Sequence, residues 1–375
     1  MMSYTDTGAS RNAPRILIVR LSSMGDVIHA LPAAAHLKRT IPGMELTWVV
    51  RERWSSLLID NPGVDRVIVL PAGKFRRGPF RFAALREVAA ARRLLREHRF
   101  EVAVDFQGLL RSAAVTFFSR ADKVFGFPSS EIREPLAAAF YSESVPTDAA
   151  HVVDKNLDLA RAVEQSLRSG WDVRTLAADA TVEFPLPPGK PEPYLPEGDY
   201  VLASPFAGWK AKEWPPEYFA ELAMILFRET GMPLVIDCAA FQRREAQAIV
   251  EQAPAGAALL HPSSVEGLMA ATRRARAVVG VDSGPLHIAA ALGLPGVAVF
   301  GQTDPARNGP YGSTFRVLRD STAVTSYKHG QRPDPVMRAV SPSDVWEVLS
   351  PMLQRKRSAA ERSDGTTPVS GNGFP

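Results

Sequence analysis

The sequence of 375 residues contains one cysteine, Cys238. A single cysteine excludes a disulfide within the chain and a metal site built from clustered cysteines, and it fits a reducing compartment. No apolar run reaches the roughly 18 residues that a membrane-spanning helix needs. The opening stretch MMSYTDTGASRNAP also lacks the apolar centre of a signal peptide. We therefore predict a cytoplasmic protein.

Motifs that bind common cofactors are missing as well. Neither half of the chain carries G-x-G-x-x-G after its first predicted strand, which argues against a dinucleotide cofactor. There is no Asp-x-Asp motif, and none of the seven histidines stands near a second one at the spacing of metal ligands. We therefore expect no cofactor and no metal-assisted reaction.

The chain does contain a regular alternation of short apolar runs and longer amphipathic stretches, which is typical of βαβ units and parallel sheets. Its composition, 46% hydrophobic and 22% charged, is that of a globular protein, and its length favours two domains. We predict strands at 15–20, 46–50, 66–70, 102–105, 200–203, 234–237, 277–281 and 296–300. We predict helices at 28–40, 81–99, 112–118, 216–228, 243–251, 265–274 and 285–292.

The proline-rich segment FPLPPGKPEPYLPEGD separates two series of these elements. Proline disfavours helices and central strands, so the segment is interpreted as a linker. The closing stretch SAAERSDGTTPVSGNGFP is small and polar, which is typical of disorder. The predicted parts are an N-terminal domain at 14–183, the linker at 184–199, a C-terminal domain at 200–342, a helix at 343–357 and a disordered tail at 358–375.

The stretch AVVGVDSGPLHIAAALGLPG gives the most readable strand-to-helix turn. Asp282, Ser283 and Gly284 follow an apolar strand, and Pro285 suits the first helical position. Backbone N–H groups at such a helix start favour an anion, typically a pyrophosphate, and His287 offers a further donor. A well-capped turn without a ligand is the alternative, and the pattern alone does not decide between them.

An acid, Asp26, stands at the start of the first helix in ILIVRLSSMGDVIHALPAAAHL. The helix dipole keeps a carboxylate ionised there, and Gly25 lets another molecule approach the backbone. Such an acid favours the start of a helix for local reasons, although Ser22 and Ser23 could cap it equally well. It could instead accept a proton from an attacking hydroxyl. The sequence alone leaves both interpretations open.

Positive charge is concentrated in residues 74–99, which hold nine Lys and Arg against two Glu, a net charge of +7. This pattern indicates a surface that faces anions. Most arginines of 81–99 fit a solvated helix face instead. A separate cation, Lys212, lies between a predicted strand and a predicted helix, although a solvated lysine is its simpler interpretation.

Four segments resemble those of the bacterial lipopolysaccharide heptosyltransferases of glycosyltransferase family 9: ILIVRLSSMGDVIHALPA, AVDFQGLLRSA, IREPLAAAFY and VDSGPLHIAAALGLPGVAVFGQTDPARNGPYG. The resemblance runs in order from about Arg15 to Val348. It implies a GT-B fold of the α/β class, in which two Rossmann-like domains with parallel sheets face each other across a cleft. It also implies an inverting, metal-independent transfer of L-glycero-D-manno-heptose from ADP-heptose to the Kdo sugar of lipid A.

The resemblance assigns Asp26 as the catalytic base and distributes the other site residues between donor and acceptor. The implied nucleotide-sugar residues are Ala207, Gly208, Lys212, Glu245, Ser263, Asp282, Ser283, Gly284 and His287. The implied acceptor residues are Ser22, Ser23, Gly25, Lys74, Arg76, Arg77, Gln107, Arg111 and Arg133.

The sequence departs from the family pattern at three of these places. Ala207 and Gly208 stand where close relatives have two threonines, and Ser283 replaces a threonine. Glu245 and Gln242 are both candidates for the contact with ribose. The expected partners are ADP-heptose, Kdo-lipid A and an anionic membrane surface, with the chain peripheral on the cytoplasmic face of the inner membrane and with no nucleic acid.

Other functions remain possible at this stage. A heptosyltransferase that acts later in the core is the closest alternative, and a nucleotide-sugar epimerase could use a similar fold. A nucleotide-binding protein without activity is the simplest alternative. An NAD-dependent oxidoreductase fits least well, because the glycine fingerprint is missing.

Overall fold

A computed structural model describes residues 13–71, 92–176, 181–326, 330 and 332–354. The chain divides into two compact units, Met1–Ala180 and Thr181–Pro375. Residues 177–180, which adjoin this division, lie outside the described residues, as do most of the predicted helix at 81–99 and the predicted tail at 358–375. In the parts of the chain that are described, no helix is both long and apolar enough to cross a membrane.

The first unit contains a parallel sheet with the strand order β3-β2-β1-β4-β5-β6. Its strands are β1 (Arg15–Val19), β2 (Glu45–Arg51), β3 (Arg66–Leu70), β4 (Val102–Asp105), β5 (Lys123–Gly126) and β6 (Glu143–Ser144). Its helices are α1 (Met24–Thr40), α2 (Leu110–Ser119) and α3 (Val152–Leu167), and residues 92–96 are also helical.

The register of this sheet brings two loops together. Val19 pairs with Asp105, so β1 and β4 end at the same level. Because the carboxyl ends of parallel strands share one edge of a sheet, the loop that leads into α1 lies beside the loop that leads into α2. Both loops carry residues that the sequence predicted for a site.

The second unit contains another parallel sheet, with the order β12-β11-β10-β7-β8-β9. Its strands are β7 (Val201–Ser204), β8 (Leu234–Cys238), β9 (Ala258–Pro262), β10 (Ala277–Val281), β11 (Gly296–Phe300) and β12 (Phe315–Arg319). Its helices are α4 (Pro216–Thr230), α5 (Arg243–Gln252), α6 (Val265–Arg274), α7 (Gly284–Ala291), α8 (Pro305–Asn308) and α9 (Pro342–Gln354).

The strand order of the second sheet reverses between β7 and β10. The chain proceeds from β7 to β8 and β9 on one side, and from β10 to β11 and β12 on the other. At such a reversal the loops after the two central strands diverge and leave a crevice, which is where ligands bind in open α/β sheets. The loops that follow Ser204 and Val281 are therefore the best-placed part of this unit for a ligand.

The proline-rich segment belongs to the second unit and packs along α6. The Arg273 guanidinium donates hydrogen bonds to the carbonyl oxygens of Leu186 and Pro188, at 3.0 and 3.1 Å. Lys190 forms an ion pair with Glu266 at 3.1 Å. The segment predicted as a linker is thus fastened to the domain that follows it.

The C-terminal helix α9 packs in the second unit, whereas we predicted that residues 343–357 return to the first domain. Val345, Leu349 and Leu353 follow one another at four-residue intervals and are buried in the core of the second unit. Just before the helix, the Val340 carbonyl accepts a hydrogen bond from the Trp214 indole at 2.9 Å. Residues 342–354 belong to the second unit because their apolar face completes its core.

Candidate active site

Asp26 occupies the third position of α1, one turn inside the helix cap at Ser23. Its Oδ2 accepts hydrogen bonds from the Ser23 backbone N–H at 2.8 Å and from the Ser23 hydroxyl at 2.7 Å. This is the local capping role that the sequence left open. The side chain nevertheless remains 39% exposed, so the same carboxylate has free lone pairs for an incoming group.

The other oxygen of Asp26 pairs with a buried arginine that the sequence analysis did not select. Arg20 Nη2 lies 2.5 Å from Asp26 Oδ1, and Arg20 Nη1 donates to the Phe106 carbonyl. The Arg20 side chain is only 9% exposed, and its Nε has no hydrogen-bond partner in the described structure. An arginine at the end of a strand normally indicates a solvated cation, so no sequence signal revealed this pair.

These contacts set the charge of Asp26. Desolvation alone would raise the pKa of the carboxyl group. The Arg20 guanidinium and the hydrogen bonds from Ser23 oppose this effect, and the pKa of Asp26 lies below its ordinary value. Asp26 is therefore ionised at neutral pH, which is the form that can accept a proton.

The loop after β4 is ordered by Asp105, which is fully buried. Asp105 Oδ1 accepts the backbone N–H groups of Gln107 and Gly108, and its Oδ2 accepts the hydroxyls of Ser112 and Tyr141, both at 2.8 Å. Burial raises the pKa of Asp105 despite these four donors. Removing this carboxylate would leave the donors without partners, so Asp105 has a structural role.

The predicted acceptor residues fall into three groups. Ser22, Ser23 and Gly25 come just before Asp26 in the chain, and Gln107 contacts the same loop, where its Oε1 accepts the Leu21 backbone N–H at 2.7 Å. Two arginines, Arg111 and Arg133, are exposed on the segments that follow β4 and β5. The remaining three, Lys74, Arg76 and Arg77, lie outside the described residues.

In the second unit, Lys212 and Asp282 join the two loops at the strand-order reversal. Lys212 Nζ lies 2.5 Å from Asp282 Oδ2, which also accepts the Thr303 hydroxyl at 2.7 Å. His287 Nε2 lies 3.9 Å from Asp282 Oδ1. The simpler interpretation of Lys212 as a solvated lysine does not fit, since its side chain is largely buried and lies 4.4 Å from the centre of the Trp209 ring.

The start of α7 offers hydrogen-bond donors beside this cluster. Ser283 is the N-cap residue, and its buried Oγ has no hydrogen-bond partner within the described part of the chain. The backbone N–H groups at the N-terminus of a helix attract anions, and Lys212 adds a cation. Together these groups form a candidate anion site on the second unit.

The remaining donor-side predictions lie on the neighbouring loops. Glu245 pairs with Lys210 at 2.6 Å, and Lys210 also pairs with Glu213, whose Oε1 accepts the Ala207 N–H at 3.3 Å. Gln242, the other ribose candidate, is engaged within its own turn, where it accepts the Ala239 N–H at 3.2 Å.

Gly208 and Ser263 complete the predicted set. A Cβ built at Gly208 would meet no atom within 4 Å, so this exposed backbone is open to a ligand. The Ser263 hydroxyl donates to the buried Asp237 at 2.7 Å, and His261 Nδ1 lies 2.9 Å from the same carboxylate oxygen. Burial raises the pKa of Asp237.

No cluster of three or more His, Cys, Asp or Glu side chains suited to a metal ion occurs within 13–71, 92–176, 181–326, 330 and 332–354.

Comparison with known proteins identifies the family. The model of glycosyltransferase family 9 (heptosyltransferase) matches residues 88–336. The chain belongs to this family. It is 33% identical over 305 residues to lipopolysaccharide heptosyltransferase 1 of Pseudomonas aeruginosa PAO1, covering 80% of this chain and 81% of that protein. It is 30% identical to lipopolysaccharide heptosyltransferase 1 of Escherichia coli K12, covering 81% of this chain and 93% of that protein.

A solved structure agrees with this assignment. E. coli heptosyltransferase WaaC with ADP-2-deoxy-2-fluoro heptose superposes with a TM-score of 0.68 at 26% identity, covering 90% of this chain and 99% of that one. The predicted GT-B class is confirmed, and the chain is a glycosyltransferase of lipopolysaccharide biosynthesis. The oxidoreductase, the epimerase and the binding protein without activity are set aside by family membership.

From the position of Lys212 beside Asp282 and the start of α7, we predict how the anion site responds to substitution. Lys212→Met should weaken ADP binding by about 10- to 100-fold, the range expected when a charge-assisted hydrogen bond is lost. Isothermal titration calorimetry with ADP measures this, and Lys212→Arg should retain most of the affinity. Lys190→Met, which removes an exposed lysine paired with Glu266, is the matched control. Unchanged ADP affinity in Lys212→Met would contradict the assignment.

Proposed function

We propose that the protein transfers L-glycero-D-manno-heptose from ADP-heptose to the Kdo sugar of lipid A, with inversion at the anomeric carbon and without a metal ion. The observation that carries the proposal is an ionised, partly exposed Asp26 on the first unit. It is supported by the Lys212 and Ser283 anion site on the second unit and by the resemblance to heptosyltransferase 1.

On the acceptor side, Asp26 acts as the general base. As the acceptor hydroxyl oxygen bonds to the anomeric carbon of heptose, its proton passes to the Asp26 carboxylate. The bond between that carbon and the β-phosphate oxygen breaks in the same step, and its electron pair leaves with ADP. One carboxylate is sufficient, because the attack and the departure take place on opposite faces of the sugar.

On the donor side, the leaving diphosphate gains negative charge as the bond breaks. Lys212 and the N–H groups at the start of α7 are directed at this charge, and His287 can add a hydrogen bond. Lys212 exchanges its pairing with Asp282 for the diphosphate, or shares it. The exposed backbone at Gly208 takes the place of the missing threonine hydroxyls, whereas the Ala207 N–H already donates to Glu213.

The acceptor carries a carboxylate on Kdo and phosphates on lipid A, so its recognition calls for cations. Arg111 and Arg133 are exposed on the first unit, and the sequence offers further basic residues at 74–77, which lie outside the described residues. We propose that these residues bind the acceptor while the chain rests on the anionic cytoplasmic face of the inner membrane. A later-acting heptosyltransferase would prefer an acceptor that already carries heptose.

The first test supplies the purified protein with ADP-, UDP- or GDP-linked sugars and either Kdo-lipid A or its heptosylated form. We expect product only from ADP-heptose and Kdo-lipid A, with a mass increase of one heptose. The anomeric configuration of the product, read by NMR, tests inversion, and added chelator should leave the rate unchanged. Preference for the heptosylated acceptor would assign the protein to the later step.

The second test replaces the proposed base. Asp26→Asn should lower kcat by about 10²- to 10⁴-fold, the usual contribution of general base catalysis, while ADP affinity stays within about twofold. Asp122→Asn, an exposed carboxyl group on the same unit, is the matched control and should retain full activity. The base assignment fails if Asp26→Asn turns over at the rate of the unmodified protein.

The third test concerns the pH dependence. Asp26 must be ionised to accept a proton, so activity falls as pH drops through its pKa, which lies below the ordinary carboxyl range. In Arg20→Met the opposing charge is gone and desolvation dominates, so the acid limb of the kcat profile should move to higher pH. Arg20→Lys should restore most of the original profile. An acid limb that stays in place in Arg20→Met would show that Asp26 is not the titrating base.

A further inference from the structure

An exposed apolar ridge lies on the first unit. Four large side chains form it: Phe117 and Leu110 of α2, and Leu136 and Phe140 of the 3₁₀ segment Pro135–Phe140. They are 60%, 43%, 72% and 38% exposed. Scattered exposed apolar residues are common, but a cluster of large ones marks an interaction surface.

Contacts at both ends hold α2 and the 3₁₀ segment side by side. At the start, the Glu134 carboxylate accepts the Leu110 N–H at 2.7 Å. At the far end, the rings of Phe117 and Phe140 meet edge to face, with centroids 5.8 Å apart. The helix and the 3₁₀ segment therefore run side by side in the same direction. Residues seven apart on an α-helix lie on the same side, so Leu110 and Phe117 share one face of α2, and Phe140 adjoins that face through its contact with Phe117. Leu136 lies on the same 3₁₀ segment as Phe140 and is the most exposed of the four side chains.

Three arginines stand beside the aromatic end of this ridge. Arg92 lies 5.8 Å from the centre of the Phe118 ring, and Phe118 packs against Phe117 at 5.6 Å. Arg92 and Arg120 are close enough to Arg96 for their charges to act on it. All three are exposed, and none forms an ion pair with a carboxylate of the described chain. The neighbouring Arg93 and Arg99, by contrast, pair with Glu97 and Asp122.

We propose that this ridge, Leu110, Phe117, Leu136 and Phe140 with Arg92, Arg96 and Arg120, docks the protein on an anionic lipid bilayer. Apolar side chains next to unpaired arginines match the acyl boundary and the phosphate headgroups of such a surface. A second protein would have to supply carboxylates for the arginines, whereas anionic lipid supplies phosphates at any orientation. The inference rests on the proposed function, because a lipid-linked acceptor requires the enzyme to work at a membrane.

Two of the proposed acceptor residues are close in sequence to the residues of the ridge. Arg111 follows Leu110 directly, and Arg133 precedes the 3₁₀ segment by two residues. A lipid whose acyl chains lie in the bilayer below the ridge would present its phosphates and sugars toward these two arginines.

The test measures the binding of the full-length protein to vesicles by flotation. Vesicles of phosphatidylcholine with and without 30% phosphatidylglycerol are compared, in low and high salt. We expect binding to the anionic vesicles that weakens with salt. The double variant Phe117→Ser/Leu136→Ser should bind at least about tenfold more weakly. Arg92→Gln/Arg96→Gln should lose about fivefold per charge, the factor that corresponds to ~1 kcal/mol for each arginine.

The control is Met224→Ser, which changes an apolar side chain exposed to a similar degree on the second unit. It should bind vesicles normally. The proposal is overturned if the ridge variants float as the unmodified protein does, or if binding is equal on neutral vesicles. It is also overturned if analytical ultracentrifugation shows a dimer that only the ridge variants disrupt.

A separate readout distinguishes this surface from the proposed activity. Each ridge variant should bind ADP normally and transfer heptose to detergent-solubilised acceptor at the unmodified rate. Loss of vesicle binding with retained transfer supports the surface. Normal vesicle binding with no transfer by the unmodified protein would defeat the proposed function and leave the surface intact.

Discussion

Three buried carboxylates at the ends of parallel strands organise both units. Asp105 ends β4, Asp237 lies near the end of β8 and Asp282 follows β10. A buried carboxylate is stable only when hydrogen-bond donors or cations surround it, so each of the three contacts such groups on neighbouring loops. Asp105 accepts hydrogen bonds from the turn that leads into α2. Asp237 contacts Ser263 and His261, and Asp282 contacts Lys212 and Thr303. The loops that carry candidate ligand contacts are thereby fixed before any ligand arrives.

This arrangement explains why the site could be predicted only in part. The strands at 66–70, 102–105, 277–281 and 296–300 agree residue for residue with the structure, because short apolar runs between turns give a clear local signal. The first helix begins at Met24 rather than at 28, since the contacts of Ser23 and Asp26 extend it. The strands β5, β6, β9 and β12, of which all but β5 lie at sheet edges, were not predicted, because their residues mix polar and apolar types without a period.

The contacts that connect distant residues could not be read from the sequence. Lys212 and Asp282 are 70 positions apart, and Arg20 and Phe106 are 86 apart. Only strand order and register place them together. The family motif pointed to Lys212, Asp282 and Asp26, but Arg20 and Thr303 had no distinguishing local pattern. The choice between Glu245 and Gln242 also depends on tertiary contacts, and the structure shows Gln242 engaged in its own turn.

The capping role of Asp26 and its proposed role as a base appear opposed, since hydrogen bonds that keep a carboxylate ionised also make it a weaker base. The chemistry resolves the opposition. In the proposed transfer, the diphosphate leaves readily once cations bind its negative charge, so the bond to ADP breaks ahead of bond formation to the acceptor. The acceptor hydroxyl then becomes acidic only as its oxygen bonds to carbon, and a weak base suffices to take the proton. An ionised, firmly oriented carboxylate serves that reaction better than a stronger base that is partly protonated at neutral pH. The contacts of Arg20 and Ser23 with Asp26 are therefore consistent with catalysis rather than an obstacle to it.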